Sequence, residues 1–186
     1  MVNVHQEIAS GAEVWFAPPD GVAQRTKDFD RLFDEPRSWE TAASGVSVFS
    51  VTANYLVRAP AASVARFLAF LHQRGIRLDV SISGITADKR VCGDAIEGIV
   101  WPAEEESYAT QLKARGAEVY SFSFDSPLDA GYLFHGKNAC RLTVRETARR
   151  LASTVGILRA AYPNAKMIDS DVPTGRPVDE WGSLLG

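Results

Sequence analysis

Five stretches of the chain carry the alternation or short apolar run of a β-strand and are closed by turn residues. Ala12 to Ala17 (AEVWFA) runs into Pro-Pro-Asp-Gly. Val46 to Val57 (VSVFSVTANYLV) is β-branched and aromatic throughout. Ile76 to Ser83 (IRLDVSIS) alternates and stops at Gly84. Ala117 to Asp125 (AEVYSFSFD) ends at Ser126-Pro127, and Ala165 to Asp171 (AKMIDSD) ends before Pro173.

Between these runs the apolar period lengthens to that of a helix. Ser63 to Gly75 places Val64, Phe67, Leu68 and Leu71 on one face, with Ser63 as N-cap and Gly75 as stop. Ala103 to Gly116 opens on acids and closes on Lys113 and Arg115, as the helix dipole favours. Thr143 to Pro163 begins with a Thr143/Glu146 capping box and continues as a stripe of Ala148, Leu151, Val155 and Leu158. Lys27 to Ser44 is a weaker helical stretch broken at Pro36, and the last segment, PVDEWGSLLG, reads as a further helix beginning.

Strands alternating with helices predict one α/β domain over residues 1–186 with a parallel sheet. Two architectures fit this order. One is a partial TIM barrel of about five βα units. The other is a five-stranded doubly wound sheet, which would show a switch point in its strand order. The repeated unit in HQRGIRLDVSIS and KARGAEVYSFSF favours the barrel. The turn APPDGVAQ is no glycine-rich phosphate loop, which weakens a nucleotide-binding doubly wound sheet.

Composition then narrows the partners. A formal net charge of -3 and the lack of a Lys/Arg run give no reason to expect nucleic acid or an anionic membrane. No apolar run approaches the roughly 20 residues of a membrane span. The N-terminus lacks the basic-then-apolar layout of a signal peptide, so the expected compartment is the cytoplasm. Cys92 and Cys140 stand far apart with no CxxC and no His at ligand spacing. The leading expectation is two free thiols. The other is a single disulfide, which requires an oxidising compartment. No metal and no cofactor is expected. A set of Asp125, Asp169 and Asp171 contains no His and would hold only a hard cation, weakly.

In parallel α/β folds the chemistry sits at the C-terminal ends of the strands. Carboxylates gather there. The catalytic candidates are Asp125 at the end of the fourth strand, Glu97 in the long connection after the third, and Asp169 at the end of the fifth. The ligand-binding candidates are Asp20, Asn54, Tyr55, Tyr132, His135 and Asp171. Against each stands a structural role, because Asp commonly serves as a turn or cap residue by bonding nearby backbone N–H groups.

Taken together, VWFAPPD, VFSVTANYL, CGDAIEG, FDSPLDAGY, GKNAC and YPNAKMIDSD resemble a bacterial group of glycosidase-like (β/α)8 TIM-barrel proteins of uncharacterised function. In that group the fourth strand ends in Asp-Glu-Pro-Leu. Retaining glycosidases of the large TIM-barrel clan end it in Asn-Glu-Pro, the Glu serving as general acid/base. The resemblance puts Asp125 and Pro127 on the motif and Ser126 on the acid. A serine hydroxyl cannot replace a carboxyl as general acid near neutral pH. The clan's nucleophile ends the seventh strand, whereas five strands are legible here.

Three functions follow from these readings. The first is a partial barrel with a cleft for a carbohydrate or small polar ligand, without standard hydrolase chemistry. The second is an active glycoside hydrolase using Asp125 with Glu97 or Asp169. The third is a doubly wound module binding a small molecule. An open half-barrel should bare apolar faces and sheet edges, which predicts a homo-oligomer or a missing C-terminal half as partner.

Overall fold

The computed structural model describes residues 12–18, 27–87, 92–101 and 103–171. The elements run β1 (Trp15–Phe16), α1 (Lys27–Asp34), a 3-10 turn (Pro36–Ser38), α2 (Glu40–Ala43), β2 (Val48–Thr52), α3 (Ala53–Arg58), α4 (Ala61–Arg74) and β3 (Arg77–Ile82). Two short strands follow, β4 (Ile85–Thr86) and β5 (Ile99–Val100), then α5 (Glu104–Ala114) and β6 (Val119–Phe124). A π-helical turn (Asp129–Leu133), α6 (Val144–Ala161) and β7 (Lys166–Asp169) complete the described chain. Asp20 and the terminal PVDEWGSLLG lie outside the described residues.

The main sheet has the order β1-β2-β3-β6-β7, and every pairing in it is parallel. Each of its strands therefore lies beside the next one along the chain, with β4 and β5 set apart in a sheet of their own. A doubly wound sheet would reverse direction at a switch point. The described sheet has none, and its order is that of an arc of a barrel.

Period-2 alternation sorts the side chains of this sheet onto two faces. Phe49, Val51, Leu78, Val80, Ile82, Phe122 and Phe124 join the helix residues Phe29, Leu56, Phe67, Leu71, Leu112 and Leu158 in one buried cluster. The opposite face, the one that lies inside a barrel, carries Ser50, Thr52, Asp79, Ser81, Ser121 and Ser123, which the register sets side by side on β2, β3 and β6. Among the described residues, the large hydrophobics left exposed are Val14 (37%) and Trp15 (39%), both at β1. Among the described residues, the edge strands of the sheet are β1 and β7.

The second strand is shorter than its composition suggests. Pairing ends at Thr52, whose hydroxyl accepts the Tyr55 N–H at 3.2 Å and caps α3. An N-cap threonine ends a strand as effectively as a proline does, because it supplies the partner that the first helical N–H groups lack. Helical phase then turns Tyr55 into the core. Its ring centroid lies 5.0 Å from that of Phe29 and 5.8 Å from that of Phe67, and the residue is 2% exposed. Burial raises its phenol pKa and leaves the hydroxyl without a hydrogen-bond partner. Tyr55, expected to bind ligand, is thus a core aromatic.

The stop of α4 and the box of α6 hold as the sequence predicts. The start of α4 differs: it begins at Ala61 with Pro60 as its N-cap, so Ser63, expected to cap it, is a buried residue of its first turn. Thr143 and Glu146 form a reciprocal capping box at α6. Gly75 ends α4 at φ 64°, and the Ile76 N–H reaches back to the Leu71 carbonyl at 3.0 Å. The Arg115 guanidinium donates to the carbonyls of Val57 (2.6 Å) and Ala59 (2.8 Å), locking the end of α5 onto the end of α3.

Candidate functional site

The C-terminal ends of β2, β3 and β6 meet over a cavity of about 190 Å³. Thr52, Asn54, Ser81, Ser83, Tyr108 and Asp125 line it. Strand pairing carries Asp125 to this position, because its N–H continues the ladder to the Ile82 carbonyl at 3.2 Å. The chain then breaks at Ser126, which adopts φ 43°, and its hydroxyl donates to Asp125 Oδ1 at 3.3 Å. The serine on the acid's position in the resembling enzymes therefore leans on the neighbouring carboxylate.

Two further groups complete the lining. The amide oxygen of Asn54 is buried and has no hydrogen-bond partner. Tyr108, which the sequence did not single out, has a phenol pKa raised first by burial and then by the charge of Glu104, against a hydrogen bond from Arg58. It remains a neutral O–H at physiological pH. The cavity thus sets Asp125 and Asn54 beside the hydroxyl residues Thr52, Ser81, Ser83 and Tyr108. Such a lining can both donate and accept hydrogen bonds.

The other described candidates do not line this cavity. Asp171 accepts from the backbone N–H groups of Leu128 (2.8 Å) and Asp129 (3.0 Å), so it ties the end of β7 to the turn that follows β6. Burial nevertheless pushes its pKa up to about 6, outweighing those two donors, and the nearby charge of Asp169 adds to the rise. Asp169 is exposed, pairs in register with the helix-facing Phe124, and accepts from the Asp171 N–H at 3.1 Å. Glu97 is exposed on the turn before Gly98. Tyr132 is half-buried in the π-helical turn, and His135 is exposed beyond it. Of the nine sequence candidates, the structure brings Asp125 and Asn54 to one cavity.

The cysteines do not stay free. Cys92 and Cys140 form a disulfide across a sequence separation of 48. The expectation of two thiols rested on their distance along the chain. Folding brings together the loops that follow β3 and β6, because those two strands are neighbours in the sheet.

A second polar feature went unread in the sequence. Asp79, in the middle of β3, is 1% exposed. Its carboxylate accepts from the hydroxyls of Ser50 (2.7 Å), Ser121 (2.6 Å) and Ser123 (2.8 Å), on the strands to either side. The available signal was an acid at an inward position of an apolar strand, flanked by strands rich in serine. A buried carboxylate must find donors, and those serines are the donors in register.

A larger cavity of about 770 Å³ opens at the other end of the sheet, lined by residues including Leu71, His72, Arg77, Tyr120 and Tyr162. There Arg77 is already engaged, 2.9 Å from Glu13 and stacked 4.2 Å over the Tyr120 ring. That is the N-terminal end of the strands, which serves stability in barrel folds. The smaller cavity, at the strand ends where parallel α/β folds place their chemistry, is the candidate site. Among the described residues no cluster of His, Cys, Asp or Glu could hold a metal ion. No described helix is long and apolar enough to cross a membrane.

The sequence matches no protein-family model and no curated protein. Its fold is similar to the crystal structure of GH5_18 from Streptomyces cattleya in complex with GlcNAc, at a TM-score of 0.54 and 12% identity. The match covers 81% of this chain and 40% of that one, so the likeness spans well under half the length of that structure. The likeness shows a glycosidase-like barrel fold and nothing of the chemistry.

Proposed function

We propose that this glycosidase-like barrel segment binds a small hydroxyl-rich ligand, a single sugar unit or a polyol of that size, in the cavity at the strand ends. The observation that carries the reading is the convergence on that cavity of Asp125, Asn54 and the hydroxyl residues Thr52, Ser81, Ser83 and Tyr108. Carboxylate, amide and hydroxyl groups together match the donors and acceptors of vicinal hydroxyls. A volume of about 190 Å³ lies below the 300–1,000 Å³ typical of drug-sized ligands and suits one ring rather than a chain.

Hydrolysis is not part of the proposal. Glycosidic cleavage needs two carboxyls flanking the scissile bond, and Asp125 is the one carboxylate among the described residues lining the cavity. Glu97 and Asp169 lie outside it.

Calorimetric or NMR titration with N-acetylglucosamine, glucose and xylose tests the reading. At least one should bind, and Asp125→Ala should weaken that binding by about tenfold or more, as expected for the loss of a charge-assisted hydrogen bond. Failure of the whole panel to bind, or binding indifferent to Asp125→Ala, would overturn it.

A further inference from the structure

The two loops that frame Asp125 are joined covalently. Cys92 lies in the segment between β4 and β5, and Cys140 lies between the π-helical turn and α6. Hydrogen bonds flank the bridge: the Gly93 N–H donates to the Asn138 carbonyl at 2.7 Å, and the Asn138 side-chain amide donates to the Asp94 carbonyl at 3.0 Å. At its far end the same loop is pressed onto the site. Gly98, at φ 80°, packs so closely that a Cβ there would lie 2.4 Å from the Asp125 carbonyl oxygen and 3.0 Å from Ala130. The second loop is anchored by the Leu142 N–H, which donates to the Gly131 carbonyl at 2.8 Å.

These loops also hold backbone that would relax if released. Ala95, Ser126, Asn138 and Arg141 all have positive φ, a region that residues with a Cβ disfavour. Each lies on a joined loop or at the Asp125 corner. Strained backbone persists only where its surroundings over-determine it, and the bridge is the one covalent tie between the two loops. Both cysteines are half-buried, within reach of a small reductant, and the chain has no third thiol for exchange.

We infer that the Cys92–Cys140 disulfide is a redox-operated clamp on the strand-end cavity. Oxidised, it holds the 92–98 loop against Asp125. A dithiol reductant gives two electrons and two protons to the bridge; the S–S bond breaks, two thiols form, and the dithiol leaves as a disulfide. The loop then loses its tether while the sheet keeps its own. The closed form is the one that an oxidising environment favours. The inference rests on loop geometry and stands apart from the identity of any ligand.

Hydrogen exchange read by mass spectrometry tests it on the full chain in three states: oxidised, reduced with dithiothreitol, and as Cys92→Ala/Cys140→Ala. Amides of residues 92–99, 125–129 and 138–142 should exchange about tenfold faster or more in the latter two states, with β2, β3 and α4 unchanged. Unchanged loop exchange after reduction would overturn the clamp. So would unfolding of the entire chain on reduction, which would make the bridge a global staple. Two titratable thiols in protein folded under oxidising conditions would overturn it as well.

Discussion

The Ser121 hydroxyl donates a 2.6 Å hydrogen bond to Asp79 Oδ1 across the β3–β6 pairing. With Ser50 and Ser123 on the same carboxylate, it makes one buried anion the common acceptor of three strands. Breaking such a set from either side leaves polar atoms stranded in the sheet. Hydrogen bonds to charged groups contribute about 1.5–3 kcal/mol each. Ser121→Ala should therefore cost about 2 kcal/mol in urea unfolding. Asp79→Ala, which orphans three hydroxyls, should cost more than any single serine. An Asp79→Ala midpoint equal to that of the native chain would mean that the carboxylate does not tie the strands.

Gly98 and Gly75 make a matched pair. Both have positive φ, at 80° and 64°. A Cβ at Gly75 would meet nothing within 4 Å, whereas at Gly98 it would meet the Asp125 carbonyl at 2.4 Å. Gly75→Ala should cost only the left-handed penalty of about 1–2 kcal/mol. Gly98→Ala adds a backbone clash and should cost clearly more. It should also shift the NMR signals of residues 125–130, which Gly75→Ala should leave in place. Equal losses in the two variants would show that the 92–98 loop does not bear on Asp125.

The contrast between these two glycines marks what the sequence could reveal. Gly75 is a helix stop readable from local pattern alone, as are the Thr143/Glu146 box and the strand ends at Gly84 and Ser126. The role of Gly98 depends on a residue 27 positions away, and that of the disulfide on one 48 away. No spacing rule reaches contacts of that kind before the strand order is known. Tyr55 was misread for a local reason, since β-branched and aromatic content hid the cap at Thr52. Asn54 and Asp125 were legible because the ends of parallel strands converge whatever the details of packing. Tyr108 was not, because it reaches the cavity from a helix face with no strand-end signature.

Asp171 should give the fold a distinct pH signature. Its folded-state pKa, pushed up to about 6 by burial, lies above the ordinary 3.8, so the native chain binds the proton more tightly than the unfolded chain. Its contribution is fully present below about pH 4 and is lost as pH rises to about 6. Glu13, held low by Arg77, and Glu146, held low by its cap with Thr143, act in the opposite sense. They are the same in native and variant chains and cancel in a comparison. The melting temperature of the native chain minus that of Asp171→Asn should therefore increase as pH falls from 7 to 4. A gap that stays flat across that range would show that the carboxylate is not perturbed.

Asn54→Leu separates the cost of the site from its use. The buried amide oxygen has no partner in the free protein, an arrangement that costs about 1–3 kcal/mol. Leucine is close to asparagine in size, suits the first turn of α3 better by propensity, and removes the orphan acceptor. The variant should melt higher than the native chain, by about 1 kcal/mol of unfolding free energy. If a ligand hydroxyl is the missing donor, the same variant should bind the best monosaccharide of the panel about tenfold more weakly or worse. Gain of stability with loss of binding is the pattern of a group kept for its ligand. A variant that gains stability and binds as before would remove Asn54 from the site, leaving Asp125 and Tyr108 to carry it.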